Sequence, residues 1–147
     1  MARIKIVIPE NNIATLTIPV RITDINYGNH VGNDALVGIV HESRMQWLSQ
    51  HGYTELNIAG VGLIMSDLAV EYIAESFYGD ILNIQIAAGE ITRVSFELYY
   101  SIETTRDSKT ILIAKAKTGM VCYDYAVKKV TAVPEKLKEF LLNNFAG

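Results

Sequence analysis

Apolar and polar residues alternate with a period of two over most of the chain, which is typical of half-buried β-strands. Near the start, two alternating runs, 3–8 and 14–23, lie on either side of the polar break Pro9–Asn12 and predict a hairpin. Pro19 falls inside the second run and has no N–H for a ladder. We therefore expect this strand to lie at a sheet edge or to carry a bulge there.

The pattern becomes helical from Asn33 to about His51. Its apolar residues cover more than one narrow stripe, which predicts a largely buried helix; they are Leu36, Ile39, Val40 and Trp47. Asn33 or Asp34 can cap the start, and Gly52 follows the end. Gly38, in the middle, costs up to ~1 kcal/mol relative to Ala. Such a glycine often marks the close approach of another backbone or a ligand.

Four further strands are predicted by the alternating or continuously apolar segments 60–74, 81–91, 94–104 and 110–123. Turns are expected at Tyr78–Asp80 and Arg106–Ser108, and Pro134 opens a terminal helix predicted over Glu135–Phe145. This order predicts an α+β fold in which one long helix packs against a twisted antiparallel sheet with meander connections. The two open edges of such a sheet favour a dimer that continues the sheet across subunits.

Composition narrows the class of protein. A chain of 147 residues, 50% hydrophobic and 20% charged, is expected to form a single globular domain over residues 1–147. The net charge of -3 argues against binding nucleic acid or an anionic membrane surface. Cys122 is the only cysteine, so we expect no intrachain disulfide and no thiolate zinc cluster. No metal and no cofactor are expected. No apolar run approaches the ~20 residues that span a bilayer, and no signal-peptide pattern begins the chain. A cytoplasmic protein is expected.

The densest group of polar side chains lies in the loop before the long helix, within R-I-T-D-I-N-Y-G-N-H-V-G-N-D. Loops between regular elements are where functional sites are commonly built. The imidazole of His30 suits general-base work near neutral pH, and Asp24 supplies a carboxylate close by in sequence. The helix that follows begins with free backbone N–H groups, which are hydrogen-bond donors.

With this loop, the chain resembles the hotdog-fold thioesterases, in particular the 4-hydroxybenzoyl-CoA / acyl-CoA thioesterase family, over roughly residues 14–132. The motifs that carry the likeness are D-I-N-Y-G-N-H-V-G-N, then H-E-S-R in the helix, Val70–Tyr72 and the Gly79–Asp80 turn. The resemblance implies the hotdog fold and a hydrolase of acyl-CoA or acyl-ACP thioesters. With the open sheet edges, a homodimer, or a dimer of dimers forming a homotetramer, is expected.

The same resemblance assigns roles to residues of the loop. Without gaps, the family's catalytic acid falls on Asn26, whose neutral amide cannot act as a base but can orient water. The oxyanion donor falls on the backbone of Asn33. Plant acyl-ACP thioesterases are similar at His30 and at Glu75, which implies that Glu75 assists the histidine.

A second register remains open. In the ungapped register the catalytic Asn of the plant enzymes falls on Gly28. A shift of two residues instead matches Asp24 and Asn26 to their Asp-x-Asn pair but loses the match at His30. Asp24 is therefore a candidate acid, with a turn-forming role as the alternative.

Other candidates lie outside the loop. Some hotdog enzymes use a carboxylate on the helix, so Glu42 and the neighbouring His41 are candidates, although a structural pair of Glu42 with Arg44 is the favoured interpretation. Gly38 is a candidate for substrate binding because a glycine inside a helix often marks the close approach of a ligand. By resemblance, Arg93 with Ser95 is a further candidate, because basic groups near this position meet the CoA phosphates in the family. Asp67 is expected to point to solvent.

Two functions compete at this stage. In the first, His30 with Glu75 or Asp24 activates a water that hydrolyses an acyl thioester. In the second, the protein is a non-catalytic acyl-thioester binder or a dehydratase-like relative, in which His30 would pair with Glu42 of another subunit. Asn26 in the acid position favours the second function. We prefer hydrolysis because the loop retains so many reactive polar groups.

Overall fold

The computed structural model describes residues 3–143 as a six-stranded antiparallel sheet with one long and one short helix. A short 3-10 turn at Ile22–Asp24 precedes the long helix. The elements in chain order are β1 (Asn12–Pro19), α1 (Asn33–Gln50), β2 (Gly62–Tyr72), β3 (Ile81–Ile91), β4 (Ser95–Arg106), β5 (Lys109–Asp124), β6 (Lys129–Val130) and α2 (Glu135–Leu142). The predicted α+β class is confirmed, and the predicted bounds of α1 and β2–β5 agree with the structure to within about two residues.

The order of strands in the sheet is β1-β3-β4-β5-β2, with β6 paired to β5. The predicted turn between β4 and β5 is confirmed, with Asp107 and Ser108 in the left-handed region at φ 49° and 64°. The predicted meander is wrong at one connection, because β2 pairs with β5 and not with β3. Residues 73–80 therefore carry the chain from one side of the sheet to the other.

The predicted N-terminal hairpin is also wrong. β1 pairs with β3, and the run 3–8 forms no strand; the N–H of Ile6 instead donates to the Glu71 carboxylate at 2.9 Å. Alternation identifies a strand without identifying its partner, and β3 offers β1 a longer ladder beside the core. Pro19 ends β1 at the sheet edge, as expected for a residue without an N–H.

The long helix α1 packs its apolar face onto the sheet, and seven of its 18 residues are buried. The prediction of a largely buried helix holds for this face only, because the opposite face, with Gly38 and Glu42, is exposed. Trp47 and Leu48 are fully buried, and the ring of Trp47 stacks on Phe140 of α2 at 5.2 Å between centroids. The helix is capped by Gly32 and not by the side chain of Asn33 or Asp34, so that expectation is wrong. The reason is that the chain enters α1 from a loop whose backbone is already bonded, with the Gly32 N–H donating to the Asp24 carbonyl at 3.0 Å.

The second helix begins after Pro134, as predicted, and the predicted end at Phe145 lies outside the described residues. At the other end of the sheet, β2 is an edge strand that exposes apolar side chains, namely Ile64, Met65, Leu68 and Tyr72. Among residues 3–143, neither helix is both long and apolar enough to cross a bilayer.

Candidate active site

The polar loop is closed by its own backbone. The Asn26 N–H donates to the His30 carbonyl at 3.0 Å, and the Asn29 N–H donates to the Asn26 carbonyl at 3.1 Å. Asn29 adopts a left-handed φ of 65°, which asparagine tolerates better than most residues. The side-chain oxygen of Asn26 accepts from the Gly28 N–H at 2.9 Å. The loop is thus a tight turn that holds His30 in a defined position.

Gly28 lies where Asn26 and His30 converge. A Cβ added at Gly28 would lie 3.1 Å from His30 Nε2 and 3.3 Å from Asn26 Oδ1. A Cβ added at Gly32 would similarly lie 3.7 Å from Asn26 Nδ2. The amide of Asn26 therefore sits between the imidazole and the start of α1, next to two positions that lack side chains.

The segment after β2 completes the site. The Val31 N–H donates to the Ser76 carbonyl at 2.8 Å, which joins the polar loop to the segment 73–80. This contact brings Glu75 opposite His30, with Nε2 and Oε1 3.9 Å apart. That distance is too long for a direct hydrogen bond and leaves the carboxylate beside the ring.

The hydrogen bond of His30 Nδ1 determines which nitrogen can accept a proton. Nδ1 lies 3.1 Å from the Val31 carbonyl oxygen, which can only accept. Nδ1 therefore carries the hydrogen, and in the neutral ring Nε2 keeps its lone pair. It is this free nitrogen that lies against Gly28 and faces Glu75.

A pocket of about 310 Å³ opens beside these groups. His30, Glu75 and Asn33, the first residue of α1, form its polar end. Its apolar wall includes Leu36, Ile73 and Ile113. The pocket thus joins an apolar surface to a histidine, a carboxylate and the free N–H groups of a helix start.

Tyr72 links the two sides of this pocket. Its hydroxyl donates to the Asn33 carbonyl at 2.9 Å, so the end of β2 is tied to the start of α1. Burial, with a smaller effect of the Asp34 carboxylate, raises the pKa of Tyr72, and the hydroxyl keeps its proton. The sequence contained Tyr72 within a family motif without indicating this contact. Across residues 3–143, no three His, Cys, Asp or Glu side chains are grouped to hold a metal ion.

Asp24 is buried below the loop and does not line the pocket. Its carboxylate accepts from the Arg21 N–H at 2.8 Å and from the Arg21 guanidinium at 3.0 Å. These bonds brace the 3-10 turn and the entry to α1. A role for Asp24 as the catalytic acid stays a prediction.

The helix candidates also lie away from the pocket. Glu42 accepts from Gln46 at 2.8 Å and not from Arg44, so the expected Glu42–Arg44 pair is wrong. Residues two apart on a helix do not face each other. Arg44 is buried and donates instead to Glu55 at 3.0 Å, and His41 lies 2.6 Å from the same carboxylate.

The remaining candidates are spread over the surface. A Cβ at Gly38 would meet nothing within 4 Å beyond its neighbours and the nearby backbone of its own helix, so no other backbone of the described residues approaches it closely. Its role in substrate binding stays a prediction. Arg93 lines a separate depression with Lys138, and Ser95 is hydrogen-bonded to Thr92 at 2.6 Å. Their substrate-binding roles also stay predictions. Asp67 is exposed and pairs with Lys117, which confirms that it faces solvent.

Comparison with known proteins shows to which family the chain belongs. The family model described as thioesterase-like superfamily matches residues 20–141. The chain belongs to the thioesterase-like superfamily. This membership confirms the resemblance drawn from the loop motif and the prediction of a thioester hydrolase. The further likeness to plant acyl-ACP thioesterases stays a prediction.

Individual members of the superfamily show the same likeness. The chain is 28% identical over 109 residues to the 1,4-dihydroxy-2-naphthoyl-CoA hydrolase of Microcystis aeruginosa, which covers 72% of this chain and 76% of the relative. The structure of the 1,4-dihydroxy-2-naphthoyl-CoA thioesterase of Synechocystis matches with a TM-score of 0.76 at 20% identity, covering 88% and 95% of the two chains. The 4-hydroxybenzoyl CoA thioesterase of Pseudomonas sp. strain CBS-3 matches with a TM-score of 0.74 at 17% identity, covering 86% and 97%. These structural likenesses confirm the hotdog fold.

Proposed function

We propose that this protein is an acyl-CoA thioesterase in which His30 activates the hydrolytic water. The observation that carries the proposal is the free Nε2 of His30, which faces Glu75 at the polar end of the pocket. The relative from Microcystis, named as a CoA-ester hydrolase, supports CoA as the carrier. A cytoplasmic location stays a prediction made from the sequence.

The proposed reaction begins with a water held by His30 Nε2 and the amide of Asn26. Nε2 removes a proton while the water oxygen bonds to the thioester carbonyl carbon. The backbone N–H at the start of α1, at Asn33, donates to the oxygen that becomes negative. The C–S bond then breaks, the imidazolium returns the proton to the departing thiolate, and the products are a carboxylic acid and a thiol.

Glu75 and Asn26 support this histidine in different ways. A carboxylate within 4 Å favours the charged imidazolium that forms during the step. Because Glu75 is 63% exposed, water screens this attraction and its contribution is modest. Asn26 cannot take a proton, so the proposal places the base on His30 and leaves Asn26 to orient the water.

We further propose that two chains pair through β2, whose apolar side chains Met65, Leu68 and Tyr72 are exposed at the sheet edge. Pairing of the two edges would extend the ladder and cover these side chains. Sedimentation equilibrium at micromolar concentration should give the mass of a dimer or a dimer of dimers. A stable monomer would contradict this part of the proposal, and Met65→Lys should weaken the association.

A panel of acyl-CoA esters of increasing length tests the activity, with the released thiol measured. Hydrolysis of at least one ester well above the uncatalysed rate is expected. Binding of the esters without hydrolysis would instead favour the non-catalytic alternative.

A further inference from the structure

Residues 3–11, the N-terminal strap, contain no strand but are fixed to the sheet. The Arg3 guanidinium donates to the carbonyl of Tyr72, the last residue of β2, at 2.9 Å. The Ile6 N–H donates to the Glu71 carboxylate, also at 2.9 Å. The start of the strap is therefore bonded to the two residues that end β2.

Ile6 anchors the strap through its side chain as well. Ile6 is 7% exposed, whereas Val7 beside it is 82% exposed. The Lys115 ammonium on β5 donates to the Ile6 carbonyl at 3.3 Å. Lys115 lies between Ala114 and Ala116, which are fully buried in the core, so its side chain points to the opposite face of the sheet. The strap thus lies on the face of the sheet away from α1.

The strap crosses this outer face towards the other half of the sheet. The Ala88 N–H of β3 donates to the Asn11 carbonyl at 3.0 Å, and the Asn11 side-chain amide donates to the Leu141 carbonyl of α2 at 2.9 Å. Because β4 and β5 separate β3 from β2, the strap reaches from β3 to the edge strand. It therefore supports the end of β2 by contacts that are independent of the β2–β5 ladder.

Tyr72 is the residue at which the strap meets the candidate active site. Its hydroxyl donates to the Asn33 carbonyl at 2.9 Å, and its side chain lines the pocket beside His30. The strap bonds the backbone carbonyl of Tyr72 and the carboxylate of Glu71 before it. The contacts of the strap and the contact with α1 therefore fix the same residue from different sides.

We propose that Arg3 and Ile6 are positioning residues for the candidate active site, because the strap holds Tyr72 and Tyr72 holds the first turn of α1. The inference rests on the proposed function, in which the backbone N–H at Asn33 donates to the developing oxyanion. That hydrogen bond strengthens in the transition state, when the oxygen becomes negative. Loss of the strap contacts should therefore lower kcat and leave KM close to that of wild type.

The experiment measures kcat and KM with the best acyl-CoA ester of the panel. Ile6→Asp places a charge at the buried anchor and should lower kcat about two- to tenfold, the range that corresponds to the net contribution of one hydrogen bond. Arg3→Ala removes only the contact with the Tyr72 carbonyl and should lower kcat in the same direction. Val7→Asp adds the same charge at the exposed neighbour, and Lys5→Ala removes a positive charge from an exposed residue of the strap. Both controls should keep the wild-type kcat.

Two further readouts separate positioning from a general loss of stability. In a Tyr72→Phe background the bond to Asn33 is already absent, so Ile6→Asp and Arg3→Ala should each lower kcat by less than about twofold there. A general loss of stability would lower kcat equally in both backgrounds. Hydrogen exchange of residues 71–76, measured by mass spectrometry, should rise in Ile6→Asp and in Arg3→Ala. Ile6→Val keeps an apolar anchor and should restore both kcat and the wild-type exchange.

The outcomes distinguish this inference from the proposed function. Wild-type kcat in the two strap variants, or equal losses with and without Tyr72→Phe, would overturn the inference and leave the proposed function intact. If Ile6→Asp does not fold, Arg3→Ala decides by the same comparison. If the wild-type protein hydrolyses no ester, the proposed function is overturned. Unchanged exchange of residues 71–76 in the strap variants would then overturn the inference as well, and raised exchange would support the hold of the strap on Tyr72.

Discussion

Asp80 should be essential for holding Glu75 in the site although it does not line the pocket. Its carboxylate accepts from the Arg106 guanidinium at 2.6 and 3.1 Å, from the Phe77 N–H at 2.8 Å and from the Ser76 hydroxyl at 3.0 Å. Arg106 also donates to the Glu75 carbonyl at 2.8 Å. The ion pair between Asp80 and Arg106 thus holds residues 75–77, the segment that faces His30.

The cost of Asp80→Asn follows from this geometry. The side chains of Asp80 and Arg106 are only 11% and 28% exposed. An exposed ion pair contributes up to about 1 kcal/mol, and disrupting a buried one costs about 3–5 kcal/mol. The cost of disrupting this pair should lie between these two values. We expect a loss of about 2 kcal/mol in the free energy of unfolding. For a chain of this size the melting temperature should fall by about 4–8 °C. The activity should fall too, because Glu75 and Ser76 lose their support.

The dependence on pH provides a sharper check. The hydrogen bond from Arg106 lowers the pKa of Asp80 below its ordinary value. Burial acts in the opposite direction, and the hydrogen bonds from the Phe77 N–H and the Ser76 hydroxyl lower the pKa further. A carboxyl whose folded pKa is lowered contributes stability that is present above the unfolded pKa of about 3.9 and is lost as pH falls through the folded pKa. The difference in melting temperature between wild type and Asp80→Asn should therefore have its full size at pH 7 and become smaller below about pH 4.

Asp107→Asn is the matched control, since Asp107 is an exposed aspartate in the adjacent turn with a left-handed φ that asparagine tolerates. It should leave both stability and activity close to wild type. Equal melting temperatures for wild type and Asp80→Asn at pH 7, or a gap that persists undiminished to pH 3, would refute the reasoning.

Two further substitutions test the candidate site, one in the polar loop and one in the pocket. Asn26→Asp should keep or raise thioesterase activity if the amide only orients water; a fall in both kcat and melting temperature would instead show that the loop cannot hold a charge there. Tyr72→Phe removes the hydrogen bond to Asn33 and should lower stability by about 0.5–1.5 kcal/mol, measured by urea unfolding, with a several-fold loss in kcat/KM. Unchanged kcat/KM would show that this link does not position the start of α1.

Sequence reasoning predicted the strands and the long helix because their periodicity is a local property. It failed where pairing depends on the whole sheet: β2 and β5 are joined across the fold, and β1 pairs with β3 instead of the run before it. No local pattern determines such partners. The partner of Arg44 was mistaken for the same reason, since Glu55 lies beyond the end of the helix.

The site was predictable in part. The loop motif offered His30, Asn26 and the helix start as candidates, and the resemblance alone suggested Glu75. The structure brings Glu75 to His30 through the Val31–Ser76 hydrogen bond, which no sequence pattern indicated. The Tyr72 contact and the support from Asp80 also depend on the path of the segment 73–80, which follows from the pairing of β2 with β5.

The most direct test of the account is the rate of acyl-CoA hydrolysis by His30→Ala, with the best ester of the panel as substrate. General-base assistance is typically worth about 10²–10⁴-fold, so kcat should fall by about that factor while the melting temperature stays near that of wild type. His51→Ala, at the other end of α1, controls for the loss of an imidazole and should retain activity. Hydrolysis by His30→Ala at the wild-type rate would contradict the claim that His30 activates the water.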